Sequence, residues 1–157
     1  MQQQIASFHL AQGLFGINVL LVREINRNLE ITRVDRAPPF VVGLMNLRGQ
    51  IVTVVDLGVR LGMQPRPLTD ASCCIVLKTN EELDRMREEG MIDETTTRDI
   101  VGLLVDAIDD MVSVQDASLE APPANIHGVD GRYLSGVIKL EKRLVTTIRL
   151  RTILEEE

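Results

Sequence analysis

The residues most able to do chemistry in this chain are two histidines and two cysteines. His9 lies in a predicted strand and His127 precedes a glycine in a predicted loop, so neither has a neighbour at the spacing of a zinc site. Cys73 and Cys74 are adjacent in a predicted strand and point to opposite faces of a sheet, so they cannot chelate one ion together. We interpret both as buried core residues. No phosphate loop or nucleophile elbow is present, and the pattern predicts a protein without catalytic residues, cofactor or metal.

Three aspartates, Asp106, Asp109 and Asp110, are a further candidate for a metal site. They lack the alternate spacing of a calcium loop, and we interpret them as the solvated end of a strand. Nothing in the sequence positions a pair of carboxylates for acid–base catalysis. A small β-barrel enzyme or ligand-binding module stays an alternative that would need a pocket with convergent polar groups.

Size and composition favour one domain, residues 1–157, in a reducing compartment. The 157 residues carry a net charge of −6 and include three phenylalanines, one tyrosine and no tryptophan, so the core must consist of valine, isoleucine and leucine. The acidic balance argues against nucleic-acid binding, which needs a basic surface. Two adjacent cysteines exclude a disulfide framework. No secretory signal or apolar run of ~20 residues is present, which predicts a cytoplasmic protein without membrane insertion.

Short apolar runs punctuated by glycine, proline and aspartate predict an all-β barrel or sandwich. The predicted strands are Ile5–Ala11, Leu14–Asn18, Ile31–Val34, Ile51–Val55, Cys73–Leu77, Ile100–Val105, Ile108–Val114, Tyr133–Leu140 and Leu144–Ile148. Ile51–Val55 is apolar or β-branched at nearly every position, which predicts burial of both faces. Helical spacing predicts a short helix or turn over Val19–Ile25, and a short helix is expected over Leu150–Glu157.

The stretch Gly43–Leu61 contains an arrangement that suits recognition. Gly43 and Gly49 flank Arg48 and allow tight backbone geometry, and Asn46 favours a turn. Arg48 is therefore predicted at the tip of a turn that leads directly into a buried strand. A guanidinium on a rigid scaffold can pair with a carboxylate of a partner. A solvated arginine in a hairpin is the alternative interpretation.

This stretch and its neighbours resemble one protein family. The run NLRG followed by IVTVVDL and LG is similar to the hallmark of CheW-type chemotaxis coupling proteins. The segments FHLAQGLFGINVLLVREI, ITRVDRAPPFVVGLMNLRG, VGLLVDAIDDMVSV and YLSGV resemble further motifs of that family in the same order. The resemblance extends over Phe8–Leu154, apart from an acidic segment at residues 80–99.

The resemblance implies two interlocked five-stranded SH3-like β-barrels and a noncatalytic scaffold in two-component signalling. It implies two partners, the cytoplasmic signalling tip of a methyl-accepting chemoreceptor and the regulatory domain of a CheA-type histidine kinase. The same adaptor role in a twitching, gliding or developmental pathway stays open. The residues that the resemblance assigns to the binding groove are Val19, Val22, Glu24, Ile25, Gly43, Arg48, Gly49 and Cys73.

The acidic segment, residues 80–99, departs from the family pattern, in which a short hairpin turn is common. It holds eight acidic residues against three arginines, a net charge of −5. Glu81–Glu89 is predicted as a short helix with Leu83 and Met86 on one side and Gly90 at its end. A disordered acidic loop is one interpretation, and an added docking element for a particular partner is the other.

Overall fold

The strands of the chain form two main sheets and one small ribbon. The computed structural model describes residues 2–115, 118–126 and 128–155, and His127 therefore lies outside the described residues. The strands are β1 (Gln2–Leu10), β2 (Gly13–Asn18), β3 (Val22–Asn26), β4 (Ile31–Thr32), β5 (Val41–Leu47), β6 (Gln50–Asp56), β7 (Cys73–Leu77), β8 (Val101–Val105), β9 (Ala107–Gln115), β10 (Asn125–Ile126), β11 (Val129–Asp130), β12 (Leu134–Lys139) and β13 (Leu144–Ile148). The helices are α1 (Leu57–Arg60), α2 (Asn80–Glu88) and α3 (Leu150–Leu154).

The two main sheets are interlocked along the chain. The first and last parts of the chain build a five-stranded sheet in the order β12-β13-β2-β1-β9, and the middle part builds a six-stranded sheet in the order β3-β7-β8-β6-β5-β4. The sixth strand of the second sheet, β4, has only two residues. The all-β prediction with two sheets and a short C-terminal helix is confirmed.

The six-stranded sheet curls until β3 approaches the β5–β6 hairpin. The side-chain amide of Asn26 on β3 lies 3.8 Å from the sulfur of Met45 on β5. Nη1 of Arg23 donates to the side-chain oxygen of Gln50 at 3.3 Å. These contacts join elements that are far apart in the strand order, and they place β3 beside the tip of the hairpin.

Valine, isoleucine and leucine fill the interior together with two fully buried phenylalanines, Phe8 and Phe15. Cys73 and Cys74 are both buried, and they belong to different hydrophobic clusters on opposite faces of β7. Burial raises the pKa of the Cys74 thiol to about 12, with a further contribution from Cys73. The interpretation of both residues as core cysteines is confirmed.

Some sequence expectations for individual elements were wrong at their edges. Ile51, predicted to be buried, is 56% exposed, because it is the second residue of β6 and lies near the tip of the hairpin, beyond the core. The segment Val19–Ile25, predicted as a short helix or turn, begins with a single 3₁₀ turn, Val19–Leu21, and its remainder is the strand β3. Helical spacing and a strand with a bulge are hard to separate over so few residues.

The C-terminal helix α3 is fixed by a buried arginine of α1. The guanidinium of Arg60 donates to the carbonyl oxygens of Ile153 at 2.9 Å and Glu155 at 3.0 Å. Its planar group also lies 4.7 Å from the centre of the Phe40 ring and 5.4 Å from that of Tyr133. The cation satisfies carbonyl groups that a helix C-terminus leaves without partners.

The crossing from one sheet to the other depends on a partly buried charge cluster. Asp106 lies between β8 and β9, and its carboxylate accepts hydrogen bonds from Nε of Arg66 at 2.8 Å and from the backbone N–H of Ala11 at 2.6 Å. Arg66 also donates to Asp56 at 3.1 Å, and its guanidinium occupies the space that a Cβ of Gly58 would need. Burial alone would lower the pKa of Arg66, but Asp106 and Asp56 raise it above its usual value.

Asp106→Asn tests this cluster. The amide preserves the shape of the side chain but leaves Arg66 with less compensating charge, so we expect the free energy of unfolding to fall by about 1–3 kcal/mol. Urea denaturation of both proteins measures the loss. Asp99→Asn, at an exposed position, is the matched control and should change stability by less than about 0.5 kcal/mol. Equal effects of the two substitutions would contradict a special role for the cluster.

Candidate functional site

The tip of the β5–β6 hairpin has a constrained backbone. Leu47 pairs with Gln50, so Arg48 and Gly49 form a two-residue turn. Both have left-handed backbone angles, φ 49° at Arg48 and 85° at Gly49, as a tight hairpin requires. The side-chain oxygen of Asn46 accepts a hydrogen bond from the N–H of Gly49 at 2.9 Å. An arginine in this backbone region carries local strain, which is typical of functional positions.

Arg48 and Glu24, both predicted site residues, form an ion pair between the hairpin tip and β3. The Arg48 side chain is 70% exposed, so most of the guanidinium is accessible to a partner. Two exposed isoleucines are near the pair along the chain: Ile25, which follows Glu24 on β3, and Ile51, which follows Gln50 on β6. We call the surface of Glu24, Ile25, Arg48 and Ile51 the tip surface.

The remaining predicted residues occupy three kinds of position. Val22 is half-buried on β3, next to the tip surface, and Val19 lies in the wall of a separate cavity. Gly43 is buried under β4, where a Cβ would overlap the carbonyl oxygen of Thr32. Cys73 has no exposed surface. Gly43 and Cys73 can therefore affect a partner only through the residues that they support.

Sequence reasoning missed Ile51, which is part of the tip surface, and Arg23 and Gln50, which adjoin it along the chain. Arg23 lies directly before Glu24 in the segment VREI. An Arg-Glu pair on an edge strand was the sequence feature that could have identified it as a site residue. Ile51 was assigned to the core because its neighbours are apolar. No local pattern distinguishes a core isoleucine from one at a hairpin tip.

The aspartates at the start of β9 are not simply solvated, as the sequence had suggested. Asp106 binds Arg66, and Asp109 accepts hydrogen bonds from Arg143 at 3.0 Å and lies 2.6 Å from Nε2 of His9. The backbone N–H of Asp110, together with Arg143 and His9, lowers the pKa of Asp109 below its usual range. These contacts are structural, and no group of metal-binding side chains occurs among the described residues.

A cavity of about 890 Å³ lies between the five-stranded sheet and the acidic segment. Its lining is mostly apolar and includes Val19, Leu20 and Ile92 together with the carboxylates of Asp93 and Glu94. Burial raises the pKa of Glu94, and the neighbouring charge of Asp93 raises it further. The acidic segment thus supplies one wall of the cavity.

The two sheets and the exposed, partly apolar and partly charged tip surface fit the class of small β-barrel adaptor proteins. Comparison with known proteins agrees with this class. The model of the CheW-like domain family matches residues 4–157, so the chain belongs to that family. It is a chemotaxis coupling adaptor and not an enzyme. Among the described residues, no helix is long and apolar enough to cross a membrane.

Individual relatives cover almost the whole chain. A probable chemotaxis protein CheW of Rhizobium etli is 27% identical over 154 residues, which is 98% of this chain and 88% of the relative. Chemotaxis protein CheW of Bacillus subtilis is 27% identical over 144 residues, covering 91% and 81% of the two chains. The crystal structure of the scaffolding protein TtCheW from Thermoanaerobacter tengcongensis aligns with a TM-score of 0.81 and 27% identity, covering 100% of this chain and 90% of that chain.

Gly43→Ala should destabilise the fold rather than change the chemistry of the surface. The added Cβ must displace the backbone of β4 at Thr32, and we expect a loss of about 1–3 kcal/mol. Thermal unfolding measures it. Gly49→Ala is the matched comparison, since its Cβ meets no atom within 4 Å and the cost comes only from the left-handed backbone, about 1 kcal/mol. A smaller loss at Gly43 than at Gly49 would contradict the packing argument.

Glu94→Gln should stabilise the protein at neutral pH. Since folding raises the pKa of Glu94, the folded state retains this proton at pH values where the unfolded state releases it, and stability falls as pH rises through that window. The neutral amide removes this penalty. The variant should therefore unfold at a higher temperature than wild type at pH 7 and at nearly the same temperature at pH 4. A stability difference that does not depend on pH would contradict the assignment.

Proposed function

We propose that this chain couples the signalling tip of a chemoreceptor to a CheA-type histidine kinase, and that the tip surface takes part in receptor docking. The single observation that carries the proposal is the ion pair between Arg48, on a strained and exposed turn, and Glu24 on β3, with the exposed Ile25 and Ile51 close by along the chain. An α-helical hairpin can bind such a face, since spaced apolar anchors contact the isoleucines and polar groups fix the register.

Membership of the CheW-like family supports the choice of partners, and the β-sheet architecture supports the proposed contact with the kinase. A protein of two small barrels can pair edge to edge with a similar domain of the kinase while the tip surface binds the receptor. Both proposed partners present their binding elements in the cytoplasm, and we therefore place this chain there too. Val22 and Val19 would extend the apolar part of the receptor contact along β3 and the preceding turn.

Arg48→Glu tests the proposed docking site. The substitution puts a carboxylate next to Glu24 and reverses the charge that a receptor would meet, so we expect the dissociation constant for a soluble receptor-tip fragment to rise about tenfold or more. Thermal unfolding should shift by less than about 3 °C, because exposed ion pairs contribute about 1 kcal/mol at most. Isothermal titration calorimetry measures the affinity.

Two further variants make the result specific. Arg151→Glu makes the same charge change on α3, at a side chain that is 77% exposed and pairs only locally with Glu155, and it should leave binding unchanged. Glu24→Arg combined with Arg48→Glu restores the internal ion pair with reversed polarity. Recovery of stability but not of binding would support direct contact between Arg48 and the receptor. Unchanged binding in Arg48→Glu, or no binding of wild type to either partner, would overturn the proposal.

A further inference from the structure

Arg23 links the acidic segment to the hairpin that carries the tip surface. Its Nε donates to Oε2 of Glu82 on α2 at 3.2 Å, and its Nη2 pairs with the other oxygen of the same carboxylate. Its Nη1 donates to the side-chain oxygen of Gln50 at 3.3 Å. One guanidinium therefore uses its planar donors to join α2, β3 and the first residue of β6.

Glu82 occupies a fixed position because α2 is firmly attached to the barrel. The helix begins with a capping box, in which Thr79 and Glu82 each satisfy a backbone N–H of the other. Leu83 on the inner face is fully buried in the larger hydrophobic cluster. The predicted helix at Glu81–Glu89 is thus present as α2, one residue earlier, and Gly90 with φ 74° follows its end.

The rest of the acidic segment closes back onto the start of α2. The Asn80 side chain accepts from the N–H of Thr96 at 2.7 Å, and the Thr96 hydroxyl donates to the carbonyl oxygen of Lys78 at 2.6 Å. Arg87 donates to the carbonyl oxygen of Asn80 at 3.1 Å. The helix therefore cannot move far without breaking several hydrogen bonds at once, and a side chain anchored to it is anchored to the barrel.

We propose that the Arg23–Glu82 pair makes the acidic segment a positioning element for the tip surface. Glu82 orients Arg23, Arg23 fixes Gln50, and Gln50 adjoins the strained turn of Arg48 and Gly49 on one side and Ile51 on the other. Glu24, the neighbour of Arg23, pairs with Arg48 directly, so two consecutive residues of β3 fix the turn. The inference rests on the proposed receptor-docking role of the tip surface.

The energetic basis is preorganisation. A turn with two left-handed residues has several accessible conformations when it is not restrained. Binding of a partner to one of these conformations costs the conformational entropy of the turn. Burial alone would raise the pKa of Glu82, but hydrogen bonds from Arg23 and Thr79 lower it below its usual range, so the carboxylate is charged at neutral pH. The restraint is then present under the conditions in which the adaptor works.

Glu82→Gln tests the inference without removing the helix cap, because glutamine at this position can also complete a capping box. In the full-length protein, we expect amide hydrogen exchange at Gly49, Gln50 and Ile51 to accelerate roughly two- to fivefold. The dissociation constant for the receptor-tip fragment should rise by a similar factor. Arg23→Gln should have the same effects, and the double variant should be no worse than either single variant.

Two controls separate positioning from general damage. Asp84→Asn removes the same charge from the same helix, but Asp84 pairs with Arg87 within the segment and not with β3, so exchange in the turn and receptor affinity should stay at wild-type values. Thr79→Ala weakens the helix cap while keeping Glu82. It should lower the unfolding temperature, and it should have little effect on the hydrogen-exchange rates in the turn.

The outcomes separate the inference from the proposed docking role. If Glu82→Gln and Asp84→Asn behave alike, or if Arg23→Gln and Glu82→Gln have additive effects, the inference is overturned although wild type still binds receptor. If the exchange rates change as expected in the free protein while wild type binds no receptor, the positioning holds but the proposed docking role fails. The two proposals can therefore fail separately.

Discussion

The architecture depends on how a single charged side chain, Arg66, is accommodated where the chain crosses between the sheets. The carboxylates of Asp56 and Asp106 come from the ends of neighbouring parallel strands, β6 and β8, and both face the same guanidinium. The backbone of the β1–β2 turn is attached at the same place through Ala11. Without compensation, these groups would be costly to remove from water. Their mutual pairing fixes the relative positions of the two sheets. The tip surface lies on the six-stranded sheet, so its position relative to the other sheet is fixed as well.

Much of the fold could be predicted from local patterns. Alternating and β-branched runs placed most strands within one or two residues, because burial of one or both faces of a strand leaves a regular signature. The helix over Glu81–Glu89 could be predicted because two apolar residues fall on one side and a glycine follows, although a disordered loop stayed open. The patterns could not reveal that Leu83 packs into the core, since a largely polar helix with two apolar residues is equally consistent with a solvated loop.

The candidate site was harder, because its important contacts are long-range. Arg48 and Gly49 were located from a local turn pattern, but the partner of Arg48 lies 24 residues earlier in the chain and that of Arg23 lies 59 residues later. Gly43 and Cys73 were both assigned to the binding groove by the family resemblance, yet they are buried and support their neighbours. A supporting residue can be distinguished from a contacting one only when the exposure of each side chain is known. For Ile51 the sequence pattern predicted burial, and the side chain is exposed.

The interlocked order of the strands also constrains how the chain folds during synthesis. All strands of the six-stranded sheet lie between Val22 and Val105, so that sheet can form as soon as this segment has emerged from the ribosome. The β1–β2 hairpin must wait for β9, whose Ile108 pairs with Phe8, and for β13, whose Thr146 pairs with Phe15. Until then the hairpin presents unpaired edges. During synthesis the β1–β2 hairpin therefore keeps an open strand edge until β13 has emerged and paired with it.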